Sequence, residues 1–471
     1  MIPGVRARLG SLTFAQTRVA LLMIAVAMSA CLMPAQSDSY WHLRAGYDLA
    51  RTGHVPLTDA YSYTARGLPW PNHEWLWQAL SWACHRLGGM PLLTAAGAAL
   101  ATGACAVAYG LMRARPSVNF LLALVGIPLA SVVWALRPQV ASLLLLVVLL
   151  RLLIDGRHLF LYLPPLFLLW ANLHGAVALG GLVMVAATVV AWFHDRRLAG
   201  RLAILTVVCG ALTAATPMGV HLWTFIGESM ARSRQNQVME WMPSYPRGPI
   251  EICFWVAALV LVGATIARWR RLDGFADRLV VIVALVLVLL AARAMRNIAP
   301  FCLVWMPAMS RLVGRDARLP GRRSAPAADE EHPRLNLALV SLMLAGCAFA
   351  IAVAWRVPLP RLGWQPIPSP AIAAIRRCGG PLYNRYNEGG YLIWFVPEVP
   401  VFIDSRQDPY PAALLTADIE AEKTGDHQAL FSRHGIRCAA LPPVSPVSKH
   451  LTAEGWRELY RDETWVVQAT P

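Results

Sequence analysis

The stretch QSDSYWHLRAGYDLARTG, residues 36–53, runs on into HVPLTDAYSYTARGLPWPNHEWLWQALSWACHRLGG, residues 54–89, and is polar and Trp-rich between two apolar segments. Trp41, Ala45 and Leu49 recur every fourth position, and Trp75, Leu76, Ala79, Leu80, Ala83 and Leu87 form a second apolar stripe at helical spacing. Such stripes predict two amphipathic helices lying on a membrane surface, with Trp rings at headgroup level. Asp38, Asp48, Asp59 and Glu74, with His42, His54 and His73, sit in or between them. A plain linker between membrane spans needs no such inventory.

The flanking sequence sets the class. A chain of 471 residues with 57% hydrophobic and 15% charged residues, at a mean hydropathy of +0.47, is too apolar for a soluble multidomain protein. It reads as a polytopic α-helical membrane protein. Candidate spans fall at 18–35, 91–112, 118–136, 139–154, 159–171, 175–193, 201–216, 251–267, 279–292, 298–313 and 335–354, about eleven transmembrane helices. The segment holding Pro164-Pro165 is the weakest of them. The first reads as a retained helix and not as a cleaved signal peptide.

The formal charge of +15 would suggest nucleic acid in a soluble chain. Here the arginines collect in alternate short loops, so the charge is an orientation signal and no nucleic-acid partner is expected. One set holds Arg6, Arg8, Arg18, Arg113, Arg115, Arg151, Arg157, Arg196, Arg197 and Arg201. It continues with Arg268, Arg270, Arg271, Arg278, Arg311, Arg315, Arg318, Arg322, Arg323 and Arg334. By the positive-inside rule that set is cytoplasmic, the N-terminus included. The first loop at 36–89, the turns at 137–139, 172–174 and 293–297, the loop 216–251 and the C-terminal region are then expected on the outer side, the periplasm of a cell with two membranes.

The domain organisation expected is a transmembrane domain at 1–354 and a periplasmic α/β domain at 355–471. Pro358, Pro360, Pro366, Pro368 and Pro370 mark a stiff linker at the junction. PLYNRYN, VPVFIDS, IRCAALP and ETWVVQA read as strands; PAALLTADIEAEKT, HQALFSRHG and SKHLTAEGWRELY read as helices between them. Glu388-Gly389-Gly390 reads as a turn or helix entry in which glycine supplies backbone freedom. Most of the nine cysteines sit inside spans; Cys378 and Cys438 lie in the outer domain, where an oxidising compartment allows a disulfide.

Taken together, SDSYWHLRAG, TDAYSYT, PWPNHEWL, the RPQ turn, LLWANLHGAVALG, TPMG with the later EW pair, RAMRNIAPF and YNEGGYLIWFVPEVPVFIDSRQDPY resemble bacterial membrane proteins grouped with the GT-C superfamily of glycosyltransferases. The resemblance runs over nearly the whole chain. It implies a GT-C-like fold, a bacterial inner-membrane location, and transfer of a sugar from a polyprenyl-phosphate donor to a lipid, polysaccharide or protein acceptor of the envelope. It also implies an essential acid soon after the first span, a position that Asp38 occupies. The chain departs from the commoner forms in lacking a paired Asp-Asp or Asp-Glu there, which leaves use of a divalent cation open.

The chemistry sets its own demands. An acceptor hydroxyl must lose a proton as it attacks, and the departing phosphate must be held as its charge grows. Asp38 is the candidate base, although SDS before a helix is also an N-cap signature. Arg137, Arg293 and Arg296 end spans on the expected outer side, where guanidinium matches a lipid phosphate or anchors to headgroups. His42, Asp59, His73, Glu74, His174 and Glu240 are candidates for binding substrate, each with a bland alternative as a packed or solvated group. Tyr386, Glu388, Asp404 and Arg406 are candidates for contacting a sugar acceptor. The competing classes are a lipid or solute transporter, disfavoured because the span centres carry almost no charge, and an inactive scaffold for envelope assembly.

Overall fold

Each of the eleven apolar segments coincides with an α-helix in the computed structural model, which describes residues 12–132, 134–235, 238–314, 332–356 and 362–471. In chain order the helices are α1 (Phe14–Cys31), α2 (Ser37–Thr52), α3 (Trp75–Gly110), α4 (Pro116–Ser131), α5 (Gln139–Asp155), α6 (Leu159–Leu173), α7 (Val177–Trp192) and α8 (Arg196–Leu212). They continue as α9 (His221–Gln235), α10 (Pro249–Arg268), α11 (Gly274–Arg293), α12 (Ile298–Val313) and α13 (Pro333–Arg356). Among the described residues, five helices (α1, α3, α10 with the turn after it, α11, α13) are long and apolar enough to cross a membrane. α4, α6 and α7 are apolar but shorter, and Pro164 and Pro165 lie inside α6. Arg6, Arg8, Arg315, Arg318, Arg322, Arg323, Pro358 and Pro360 lie outside the described residues.

The chain divides into two compact units. The first comprises Met1–Met33, Thr94–Ala215 and Met239–Val357; the second comprises Pro34–Leu93, Thr216–Val238 and Pro358–Pro471. The division falls inside α3, just past a break in its helical backbone at Gly88 (φ −154°) and Gly89 (φ +63°). A left-handed φ is open to glycine at no steric cost, so this pair turns one apolar run into two helices.

In the first unit the helix ends gather into two opposite polar layers. One holds Ser310, whose Oγ accepts the amides of Arg113 (2.6 Å) and Ala114 (2.8 Å), and Arg311, buried against Asp277 (3.1 Å) and the Leu111 carbonyl (2.5 Å). The other joins the 137, 172–174, 240–244 and 293–297 segments: Ser244 N donates to the Ala292 carbonyl (3.1 Å), Met295 N to that of Met242 (3.1 Å), and Asn172 Nδ2 to that of Ala215 (3.0 Å). Gly126 allows α4 close to α12, since a Cβ there would meet Met306 Cγ at 2.4 Å.

The second unit contains α2, the 75–87 arm of α3, α9 and the C-terminal region. The last is α14 (Ser369–Arg377), β1 (Leu382–Tyr383), α15 (Gly389–Phe395), α16 (Ala412–Thr424), α17 (Gln428–His434), β2 (Cys438–Leu441), α18 (Pro446–Ala453), β3 (Arg457–Arg461) and β4 (Val466–Ala469). The sheet order is β1-β2-β4-β3, with β1 parallel to β2 and the other pairs antiparallel. Alternation sorts its residues: Leu382, Cys438, Ala440 and Val467 enter a core with Trp41, Trp70, Leu392 and Val396. Tyr383, Ala439 and Leu441 enter another with Phe402, Leu415, Phe431 and Leu451. A disulfide joins Cys378 to Cys438, with Cα atoms 5.8 Å apart.

Three expectations need correction. Trp41 is not at a membrane surface: it is 6% exposed and packs in the core with Trp70, Ile393 and Val396. The second stripe does face outward, with Leu80 and Leu87 at 49% and 81% exposure. VPVFIDS is extended but joins no sheet ladder, because the 58–64 loop and a side chain take its backbone groups. Val401 N donates to Tyr61 O (3.0 Å), Tyr63 N to Val401 O (3.1 Å), and Asn384 brackets Phe402 N (2.9 Å) and Ile403 O (2.7 Å). The expected helix through SKHLTAEGWRELY stops at Ala453; Gly455 turns at φ +81° and the chain leaves as β3.

Candidate functional site

Asp38 lies in the first turn of α2, but it is not the cap. Gln36 is the N-cap residue, and its amide donates to Ser39 Oγ (3.1 Å). The half-buried Asp38 carboxylate instead accepts hydrogen bonds from Ser405 Oγ and, at 3.3 Å, from Trp41 Nε1, which also donates to Ser405 Oγ (3.2 Å). Ser405 is in turn fixed by its own carbonyl, which accepts from Tyr386 Oη (2.9 Å). The α2–α15 contact that holds this arrangement needs small residues. A Cβ on Gly390 would sit 2.1 Å from the Ser37 carbonyl oxygen, and one on Gly389 would sit 2.1 Å from that of Ile403. Close approach, and not a left-handed backbone, is therefore what selects Gly389 and Gly390.

The residues either side of Ser405 form a buried ionic knot. Arg406 Nη2 lies 2.5 Å from Asp59 Oδ1 and 2.7 Å from Asp404 Oδ2, and its Nε lies 2.8 Å from Asp404 Oδ1. All three side chains are 0% exposed. The guanidinium lies 4.6 Å from the centre of the Trp70 ring and 4.8 Å from that of Tyr61, and Tyr410 Oη donates to Asp404 (2.5 Å). Asp404 and Arg406 are thus unavailable to a sugar acceptor, and Asp59 is spent on Arg406, on Ser62 Oγ (2.7 Å) and on the Ser62 amide (3.1 Å). Glu388 is committed to Arg385 (2.7 Å).

Beside the knot lies a second group of titratable side chains. Glu74 stands between His42 (3.7 Å) and His73 (3.6 Å). Burial pushes the Asp408 carboxyl up to about 7, against the lowering pull of His73 and Arg232. Arg232, from α9, donates to the Asp408 carbonyl (3.0 Å). Gln407, between Arg406 and Asp408, holds φ +62°, a conformation uncommon outside glycine.

In the first unit Glu240, on a single 3₁₀ turn at Met239–Trp241, lies 3.5 Å from both Arg137 and Arg296. Arg296 also stacks over Trp241 at 4.2 Å. The RPQ turn, the EW pair and RAMRN are therefore one structure, and Glu240 is a bridging acid instead of a solvated one. Arg293 ends α11 with its side chain exposed. His174 is buried, with Nδ1 2.8 Å from Ser142 Oγ, which also accepts from Trp170 Nε1 (2.8 Å).

No family model matches the chain, and no curated protein matches it in sequence. Solved structures do. The Archaeoglobus fulgidus oligosaccharyltransferase tethered to an acceptor peptide superposes with a TM-score of 0.57 at 11% identity, covering 90% of this chain and 68% of that one. ArnT from Cupriavidus metallidurans in the apo state gives 0.51 at 16% identity over 95% and 97% of the two chains. Both are GT-C superfamily glycosyltransferases. The fold is GT-C-like.

Archaeal AglB from A. fulgidus, in complex with an inhibitory peptide and a dolichol-phosphate, gives 0.51 at 11% identity over 90% and 69% of the two chains. At these identities the likeness concerns the fold. Within this GT-C-like chain the residues that sequence reasoning missed are Ser405, the partner of Asp38, and Asp408. Their one local signal was a dense polar run, DSRQD, closing an apolar strand-like stretch. Among the described residues no group of three or more His, Cys, Asp or Glu is disposed to hold a metal ion. Asp59 and Asp404, bridged by a guanidinium, do not form a metal-binding pair.

Proposed function

We propose that this chain is an integral membrane glycosyltransferase of the bacterial inner membrane that moves a sugar from a polyprenyl-phosphate donor to an envelope acceptor at the periplasmic face. The observation that carries the proposal is Asp38: on a GT-C-like fold, the acid after the first span accepts hydrogen bonds from Ser405 and Trp41, which orient it. Asp38 takes the proton from the acceptor hydroxyl as its oxygen attacks the anomeric carbon. The bond from that carbon to the phosphate oxygen breaks, and the phosphate leaves with the electron pair. Direct displacement by one base inverts the anomeric centre.

Arg137, Arg296 and Arg293 are assigned to the donor phosphate, with Glu240 keeping the first two guanidiniums in place until a more highly charged group competes for them. AglB, a structural neighbour solved with dolichol-phosphate, supports a lipid-phosphate donor. His42, His73 and Glu74 are assigned to the acceptor side, and Asp59 and His174 to positioning. All eleven helices are taken to span, with the N-terminus cytoplasmic, the polar layer of Arg137 and Glu240 at the outer end, and the region 355–471 periplasmic.

The test is Asp38→Asn in the full chain, reconstituted in proteoliposomes. Transfer of radiolabelled sugar from polyprenyl phosphate should fall by roughly 10²- to 10⁴-fold with normal membrane insertion. Unchanged transfer refutes the assignment; movement of lipid or solute without a glycosidic product makes the chain a transporter.

A further inference from the structure

Two adjoining cavities of about 490 and 600 Å³ open on the second unit, sharing Arg44, Arg51, Pro397 and Glu398 in their walls. Neither is lined by Asp38 or by the ionic knot. Their charges do not balance. Asp48 is matched by Arg44 (3.0 Å) and Glu398 by Arg376, whereas Arg51 and Arg66 have no acidic partner among the described residues. Two uncompensated guanidiniums at a cavity wall attract an anion.

The smaller cavity adds aromatic surface. Trp82 and Trp394 meet edge to face at 6.1 Å, with Tyr47 against Trp82 at 5.2 Å, and all three line it. Partly exposed rings beside uncompensated guanidiniums suit a ligand that carries both apolar ring faces and negative charge. A phosphate alone would use only the arginines.

We propose that this groove binds an anionic oligosaccharide, the acceptor glycan of the transfer reaction, with Arg51 and Arg66 meeting its carboxylate or phosphate groups and Trp82 and Trp394 flanking its rings. The inference rests on the transferase reading for the word acceptor. One rigid element couples the groove to the reaction: α2 carries Asp38 in its first turn and Arg44 and Arg51 further along, roughly 9 and 20 Å away at 1.5 Å per residue. A glycan seated in the groove is thereby registered against Asp38.

The full chain in nanodiscs of neutral lipid, titrated with tetragalacturonate and with maltotetraose, tests this. Tetragalacturonate should bind roughly tenfold tighter than the neutral sugar, about the worth of one or two charge-assisted hydrogen bonds at a partly exposed site. Arg51→Ala with Arg66→Ala should abolish that preference. Trp82→Ala should weaken both sugars, and Trp82→Phe should restore most of the loss. Absence of tetragalacturonate binding, equal affinity for the two sugars, or an unchanged preference in the double variant overturns the proposal. So does Arg51- and Arg66-dependent binding of phosphatidylglycerol vesicles without sugar binding, which would make the groove a headgroup site. Asp38→Asn should keep the groove's affinities, so failure of the transferase reading is seen in the transfer assay and failure of the groove in the titration.

Discussion

Replacing Arg406 by methionine would show whether the DSRQD segment is structural or free to meet a ligand. The wild-type knot holds two carboxylates and one guanidinium, all at 0% exposure, joined by contacts of 2.5, 2.7 and 2.8 Å. Methionine fills the space between Trp70 and Tyr61 but leaves both carboxylates buried without a cation. Breaking one buried pair costs about 3–5 kcal/mol, and Arg406 serves two acids, so the upper end applies. At 2–4 °C per kcal/mol for a domain of this size, the melting temperature in detergent should drop by about 10 °C or more. Burial without a countercharge raises a carboxylate's folded-state pKa, so the folded variant holds a proton that the unfolded chain releases. Its deficit should therefore be smaller at pH 5 than at pH 8. Adding Asp59→Asn and Asp404→Asn should recover most of the loss. An Arg406→Met protein that melts within about 2 °C of wild type at both pH values would refute the reasoning.

Gly390→Ala places a methyl 2.1 Å from the Ser37 carbonyl, so α2 and α15 must separate; a loss of about 1–3 kcal/mol and a matching fall in transfer activity are expected, measured by thermal melts and the proteoliposome assay. Burial raises the Asp418 carboxyl from 3.8 to about 7, against the lowering hydrogen bond from Tyr383 Oη (3.0 Å). The folded state then binds the proton more tightly than the unfolded one, and this contribution to stability is lost as pH rises from about 4 to about 7. Asp418→Asn should flatten that part of the stability profile, and an unchanged profile would show that Asp418 does not carry it.

Helices were legible because their signal is local: each of the eleven segments carries its own apolar run. Burial was less legible. The stripe of Trp41, Ala45 and Leu49 fits a bilayer surface or a protein core equally well, and only the C-terminal region that covers Trp41 decides between them. Asp38 could be placed at a helix start from SDS, but Ser405, which donates a hydrogen bond to it, lies 367 residues away. Gly389 and Gly390 announced a constraint without naming it, since the atoms they approach belong to Ile403 and Ser37. VPVFIDS has strand composition, yet Asn384 and the 58–64 loop take its backbone groups.

Asp59 and Arg406 stand 347 positions apart in the chain. At about 5–20 residues per second, a ribosome takes roughly 20–70 s to travel from one to the other. Throughout that interval the Trp41 face of α2 has been made but its cover has not. The nascent 36–89 segment must therefore wait, uncovered and open to proteases and to neighbouring chains, and the second unit can close only near the end of translation.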